Sequence, residues 1–470
     1  MTGLALDPNP CLCDCCMRHA SSAPRILMST LPNLWYLPCL ATSPSGALCA
    51  DGLFSERRLR LMSRLSGFVL LVLLILLTLS CGGSQSSGST PPPPPPPSYS
   101  FTSVHSFTGG TDGCCPSQGL LLDSTGNLYG TGVGGNGAGS GTVFKVNSSG
   151  DETILLNFTG NGQPDGLTPV GSLVSDPDGN LYGTTLNGGS YSYGTVFQLL
   201  SNGQASDLHS FGGWVTGDGA SPFSGLVRDG EGNLYGVTNN GGTGTVCVTT
   251  GGGCGTLYEI QADGEETLLY QFGTIAGDAA SPMSGLLLVG TTLYGTAGGG
   301  ASGYGVVFSF DLASGTETVI YNFVGGTDGK YPGGILVQDG EENLYGVTQS
   351  GGSQFDAGTV FKLNPSTGAE SVLYSFQLSA TDGGGPTAGP VMDSGGNLYG
   401  TTQHAGAHDC GTAYKLSPTG SITTLYAFNC STDGFVSNGS LVMDAKGNLY
   451  GTTSSGGANG FGNVFKLSPP

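Results

Sequence analysis

An all-β, seven-bladed β-propeller of four-stranded blades is the fold class this sequence predicts, and three observations predict it. The tripeptide "LYG" recurs with its tyrosine at Tyr129, Tyr182, Tyr235, Tyr294, Tyr345, Tyr399 and Tyr450, at spacings of 53, 53, 59, 51, 54 and 51. Periods of that size mark a repeat architecture. Each period holds four short runs rich in Val, Leu, Tyr, Phe and Thr, separated by Gly, Asn, Asp and Ser, the pattern of short strands joined by tight turns. The 470 residues include 86 Gly and 26 Pro, and 10% are charged, which leaves little room for long helices. Four strands per period, seven times over, describe a propeller.

Within a unit, an apolar run such as "GSLVSD" comes first and leads into a tight turn. Its Asp lies six residues before the tyrosine, at Asp123, Asp176, Asp229, Asp339, Asp393 and Asp444, with Val289 in its place in the fourth unit. Asp at the first position of a turn accepts backbone N–H groups, and the Gly and Asn that follow tolerate positive φ. The stretch "DPDGN" lacks the spaced ligands and distal Glu of an EF-hand, so a structural turn is the reading. "NLYGTT" is the second strand and "GTVFKL", beginning at Gly141, Gly194, Gly255, Gly305, Gly358, Gly411 and Gly462, is the third. A "LYSF"-like run ending at Phe107, Phe158, Phe211, Phe272, Phe323, Phe376 and Phe428 is the fourth. Blades pack on both faces, so the repeated Tyr and Phe are expected between blades. The body opens on a "YSF" strand at 101–107 and stops after the third strand of its last unit, 462–467. Pairing these two segments would close the ring and remove its exposed edges.

A second aspartate set follows each "YSF" phenylalanine by five to seven residues: Asp112, Asp165, Asp218, Asp278, Asp328, Asp382 and Asp433. Strand alternation puts these loops and the Gly-rich loops between second and third strands at the same end. Loops on a rigid scaffold are where binding concentrates, so these seven carboxylates are the candidate ligand-binding residues, for a cation such as calcium or a polyol. A turn joining blades is the competing reading.

"GNLYGTT", "GTVFKL" and "LYSF" with "TDG" together resemble the choice-of-anchor tandem repeat proteins of the GloVer type, over residues 101–470. Their "D-x-D-G-N-L-Y" core is also similar to NHL-type propellers. The resemblance implies exported bacterial proteins with varied surface anchors; it implies no established activity and no catalytic residues.

The N-terminal region reads as an address. Residues 65–80, "LSGFVLLVLLILLTLS", are an apolar run of signal-peptide length preceded by Arg57, Arg58, Arg60 and Arg64, as an export signal requires. It ends in "LTLSCGG", which resembles a lipobox with Cys81 as the acylated residue, although Thr78 stands where such motifs have Leu. Residues 1–61 do not fit ahead of a signal peptide, so they read as a misassigned, disordered extension with Met62 as a plausible start. The signal is then 62–81, and 82–100 is a Gly/Ser linker running into seven prolines, a semi-rigid spacer. The early "CLCDCC" has no partner set at zinc spacing. The expected location is the cell envelope or surface, tethered to a membrane through Cys81.

Six cysteines follow Cys81, an even number, which in an exported protein favours disulfides. Cys410 and Cys430 flank adjacent strands, Cys247 and Cys254 bracket an extra loop, and Cys114 and Cys115 could pair only as a strained vicinal ring. The formal charge of −20, from 13 Lys and Arg against 33 Asp and Glu, excludes nucleic acid as a partner. No unit combines acid, base and nucleophile. His105 and His209 replace Tyr in "YSF" strands, and His404, His408 and Asp409 share one loop, "QHAGAHDC", where imidazole and carboxylate could ligate zinc or copper, a solvated loop being the competing reading. The expectation is a monomeric, non-enzymatic binding or scaffold module for a glycan or protein, with no obligatory cofactor. The alternative is a propeller hydrolase or lyase acting on a glycan or lactone.

Overall fold

The computed structural model describes residues 99–470 apart from 135–139, 160–165, 214, 246, 248–251, 354 and 437–438. The expected extension, export signal with Cys81, linker up to residue 98, and Asp165 lie outside the described residues.

Seven antiparallel sheets follow one another along the chain, and each is a blade. In the third, strands Val227–Arg228, Leu234–Thr238, Thr256–Ile260 and Glu266–Gln271 pair in sequence order. Four blades split their first strand into two pieces on the same neighbour, as with Cys114–Pro116 and Leu121–Leu122, which both pair with Leu128–Gly134. The seventh blade takes its fourth strand from the start of the body: Ser100–Ser106 pairs with Asn463–Ser468, Ser100 facing Ser468 and Ser106 facing Asn463. The ring closes as its sequence phase predicts, within one residue.

The repeated phenylalanines make the seams. At all seven joints the "YSF" Phe of one blade meets the third-strand aromatic of the next, from Phe107 on Phe144 round to Phe428 on Phe465, with centroids 4.9–5.3 Å apart and planes crossed by 63–74°. Edge-to-face pairs of this kind contribute about 1 kcal/mol beyond the area they bury. The glycine of "LYG" makes room for that aromatic: Gly183 faces Phe197 across the strand pair, and a methyl group there would sit 2.7 Å from the ring. The "LYG" tyrosines, expected to be seam residues alone, are also tied through their hydroxyls to their own turns, as described below.

Strand direction gives the ring two distinct ends. The turns between first and second strands touch the turns between third and fourth: Asn180 Oδ1 accepts from the Ser201 N–H at 3.0 Å, and Asn233 Oδ1 from the Ala262 N–H at 3.1 Å. This is the turn end. At the other end, the loop end, blade-to-blade connections lie against the loops between second and third strands. Ala220 pairs there with Asn240, and Gly384 with His404.

Candidate functional site

At the turn end, each opening aspartate is a hub. Asp176 Oδ1 accepts the N–H groups of Asp178 (3.0 Å) and Asn180 (2.9 Å), and Oδ2 accepts the Asn180 amide (2.7 Å) and the Tyr182 hydroxyl (3.0 Å). Asp123, Asp229, Asp339, Asp393 and Asp444 repeat this arrangement. Partial burial alone would raise these carboxyls, but the converging donors outweigh it and pull Asp123 and Asp339 down to about 2. The tyrosines also receive the facing lysine: Lys145, Lys362, Lys415 and Lys466 lie 5.4–5.8 Å over the rings of Tyr129, Tyr345, Tyr399 and Tyr450, a cation–π geometry.

At the loop end, six of the seven candidate ligand-binding aspartates are described, and all six are turned into their own loops. Asp382 Oδ2 accepts the Tyr374 hydroxyl and the Gln377 N–H, both at 2.9 Å, while Oδ1 accepts from Ser379. Asp433, Asp328 and Asp278 take the hydroxyls of Tyr426 (2.7 Å), Tyr321 (3.2 Å) and Tyr270 (3.2 Å), each with a backbone N–H. Asp218 takes the same N–H and the His209 ring at 3.0 Å, and Asp112 has the His105 ring 3.8 Å away. His209 is thus a Tyr substitute in polar function as well as in position, whereas His105 shares the position but leaves its Nε2 without a hydrogen bond. Except at Asp278, which Ala279 follows, the next residue is a glycine lying over a threonine hydroxyl: Gly113, at φ 84°, would bring a methyl group to 2.7 Å from Thr142 Oγ1. The aspartates fasten the blade connections and present few oxygens to solvent; Asp278 and Asp382 are 3% exposed.

Four glutamates complete these joints. Glu152, Glu266, Glu317 and Glu370 stand near the start of outer strands, and each has an Oε1 atom buried without a partner. Tyr321 lies 3.2 Å from Asp328 and 3.5 Å from Glu370 of the following blade. Burial first, and the neighbouring aspartate second, push Glu152, Glu317 and Glu370 up to about 7. Among the described residues, no group of three or more His, Cys, Asp or Glu side chains could hold a metal ion. His408 and Asp409 are exposed beside His404 and make no such group.

The loop end also exposes large apolar side chains. The large hydrophobic residues exposed among those described are Tyr191, Val215, Ile275, Met283, Tyr304, Val324, Tyr331, Phe355, Leu378, Phe435 and Phe461. Tyr191, Tyr304, Phe355 and Phe461 lie in loops between second and third strands, and Val215, Ile275, Val324 and Leu378 in blade connections. Tyr331 and Phe435 open first strands, and Met283 stands by the ring axis. Not one is in a turn of the opposite end. Sequence reasoning missed this crown, because it weighed the carboxylates in those loops and not the bulky residues beside them.

The crown surrounds an axial cavity of about 360 Å³. Each blade offers it a polar uncharged residue: Gln118, Ser172, Ser224, Ser284, Thr387 and Ser440 from the segments around the first strands, and Gln349 from the second strand of the fifth blade, whose first strand offers Gly334. Phe223, Met283 and Tyr331 supply apolar wall, and none of the described residues lining the cavity is charged. Lys330, next to Tyr331, is paired with Asp356 at 2.9 Å.

The structure joins Cys247 to Cys254 and Cys410 to Cys430, with Cα atoms 5.4 and 5.5 Å apart. Both bridges lie at the loop end. Cys114 and Cys115, expected as a vicinal ring, instead stand as hydrogen-bonded thiols with sulfurs 2.8 Å apart, Cys115 taking a left-handed φ of 57°. That hydrogen bond first, and burial second, raise the Cys115 thiol.

Comparison with solved structures gives the same architecture at low identity. An oligogalacturonate lyase in complex with manganese is similar at TM-score 0.53 and 14% identity, over 79% of this chain and 93% of that one. An oligogalacturonate lyase from Vibrio parahaemolyticus gives 0.52 and 10%, over 79% and 97%. The extracellular domain assigned to a one component system from B. thetaiotaomicron gives 0.51 and 12%, over 79% of this chain, which spans about 40% of that one. No curated protein matches in sequence. The model of the Gloeobacter/Verrucomicrobia repeat matches residues 76–300 and again 296–470, covering all seven blades. The chain belongs to the Gloeobacter/Verrucomicrobia repeat family.

Proposed function

We propose that this protein is an exported, surface-anchored binding module that engages a glycan or protein ligand through its loop end without chemical turnover. The observation that carries the reading is the crown: every exposed large hydrophobic residue among those described belongs to that end or to the axis it surrounds. Exposed apolar side chains gathered on one face mark interaction surfaces. Export and acylation at Cys81 rest on the arginine cluster, the short apolar run and "LSCGG"; loss of membrane association in Cys81→Ala checks that part. The ligand-binding role first given to the loop-end aspartates passes to the residues they position.

The lyase reading has the fold likeness in its favour. A uronate polymer would need cationic or metal-binding groups, and the described residues that line the cavity include neither. The test is a glycan and peptide array probed with the wild type, with Val324→Lys/Phe461→Lys at the loop end, and with Asn202→Lys/Thr367→Lys at the turn end. Ligands retained by the turn-end variant and lost by the loop-end variant support the proposal. Equal loss in both, or release of unsaturated products from a polyuronate, overturns it.

A further inference from the structure

We infer that the axial cavity is a binding site for an uncharged saccharide unit, with Tyr331 as its stacking platform and the axial hydroxyl groups as its polar contacts. The inference rests on the loop-end reading above and names the ligand class that one part of that end would take.

The first argument is electrostatic. The chain carries a formal charge of −20, yet among the described residues no carboxylate or basic group lines the cavity. An ionised ligand would leave water there without a countercharge, which costs several kcal/mol. An uncharged ligand avoids that cost.

The second argument is the unmet hydrogen-bonding capacity of the wall. Ser224 lines the cavity, is 5% exposed, and its hydroxyl has no partner. A buried hydroxyl without a partner is costly, and a ligand hydroxyl reaching it would satisfy both groups. Ser284 beside it is committed to Thr296 at 2.6 Å, so the two neighbouring serines do not offer the same contact. The Gln118 and Gln349 amides also line the wall and supply both donors and acceptors, as a polyol requires.

The third argument is shape. A cavity of about 360 Å³ falls in the range of small-molecule sites. Tyr331 is 48% exposed at its edge and holds an edge-to-face contact with Tyr304 at 6.3 Å. That contact orients the ring while leaving surface for the apolar C–H face of a sugar. Met283, 58% exposed, extends the same wall.

Calorimetric titration of the protein with cellotriose, mannotriose, chitotriose and trigalacturonate tests the site. At least one neutral trisaccharide is expected to bind and trigalacturonate to bind at least tenfold more weakly. Tyr331→Ala should weaken the neutral ligand about tenfold, the size of a lost aromatic contact, with Tyr331→Phe retaining it; Ser224→Ala should weaken it measurably. The turn-end variant Asn202→Lys/Thr367→Lys should leave it unchanged, and thermal melts of every variant report folding. Trigalacturonate binding as well as the neutral sugars overturns the ligand class. Binding lost in the loop-end variant Val324→Lys/Phe461→Lys but untouched by Tyr331→Ala and Ser224→Ala overturns the axial site while the loop-end reading stands. If none of the four probes binds, the axial inference falls, and the array decides the loop-end reading separately.

Discussion

The Tyr321 hydroxyl donates to Asp328 across 3.2 Å, fastening an outer strand to the connection that leaves it. The same relationship joins Tyr270 to Asp278, Tyr374 to Asp382 and Tyr426 to Asp433. In the blades that carry His105 and His209, imidazole takes the place of phenol beside Asp112 and Asp218. These aspartates therefore act on the structure before they act on any ligand.

Tyr374→Phe removes one such fastening with little change in volume. Asp382 is 3% exposed, and a hydrogen bond to a buried charged group is worth about 2 kcal/mol. Urea unfolding should show a loss of that size. A change below about 0.5 kcal/mol would mean that the Gln377 and Ser379 groups hold the carboxylate unaided.

The joint glutamates predict an inverted pH dependence. Glu152, Glu317 and Glu370 sit at about 7 against an ordinary 4.5, so the folded state holds more protons than the unfolded state between these values. Their contribution is full below pH 4.5 and lost as pH rises through 7. Asp123 and Asp339, at about 2 against 3.8, contribute above pH 3.8 and lose that as pH falls toward 2. His105, lowered from 6.5 by burial despite the opposing pull of Asp112, works against the glutamates as one group against three. Melting temperature should peak near pH 4 to 5 and decline toward pH 8, and Glu317→Gln should flatten the decline. A melting temperature that rises from pH 5 to 8 contradicts the assignment.

Reduction should be felt at the loop end. Cys410 and Cys430 close 20 residues, and on the chain-entropy model such a bridge contributes about 3 kcal/mol. The double variant Cys410→Ser/Cys430→Ser should lose stability of that order, read from denaturant midpoints. An unchanged midpoint under reducing and oxidising conditions would show that the bridge is dispensable.

Ring closure predicts a concentration-dependent defect. Removing residues 99–106 uncovers the edge of Asn463–Ser468, whose N–H and C=O groups can then pair between molecules. Sedimentation should show oligomers for the truncated chain, and a peptide of residues 99–107 should return it to the size of the intact protein. A truncated chain that stays monomeric without the peptide would refute the role of that strand.

The fold was legible because its signals are periodic. Seven tyrosines at near-constant spacing, and a lone "YSF" strand ahead of the first full unit, determine blade count and closure without any contact being known. The site was legible only by place. Strand alternation identified the loop end, but carboxylates facing solvent and carboxylates facing their own backbone have the same letter in sequence. The Tyr–Asp fastening was hidden because the loop between its members varies in length, seven residues from Tyr321 to Asp328 and eight from Tyr374 to Asp382. A Tyr or His two residues before the Phe was the available signal. The crown was visible as single bulky residues, such as Phe355 and Phe461, set in otherwise small and polar loops. The axial serines follow the prolines of "PFSG" and "PMSG", but their convergence depends on closing the ring.

The closing strand also gives the body a polarity. Ser100 faces Ser468 at the end of the last third strand, and Pro469 lies against Gly447 of the neighbouring turn. Entry and exit of the chain thus share the end built from aspartate turns, opposite the crown. Residues 99 and 470 both stand at that base, so the rim on the opposite side carries neither of them.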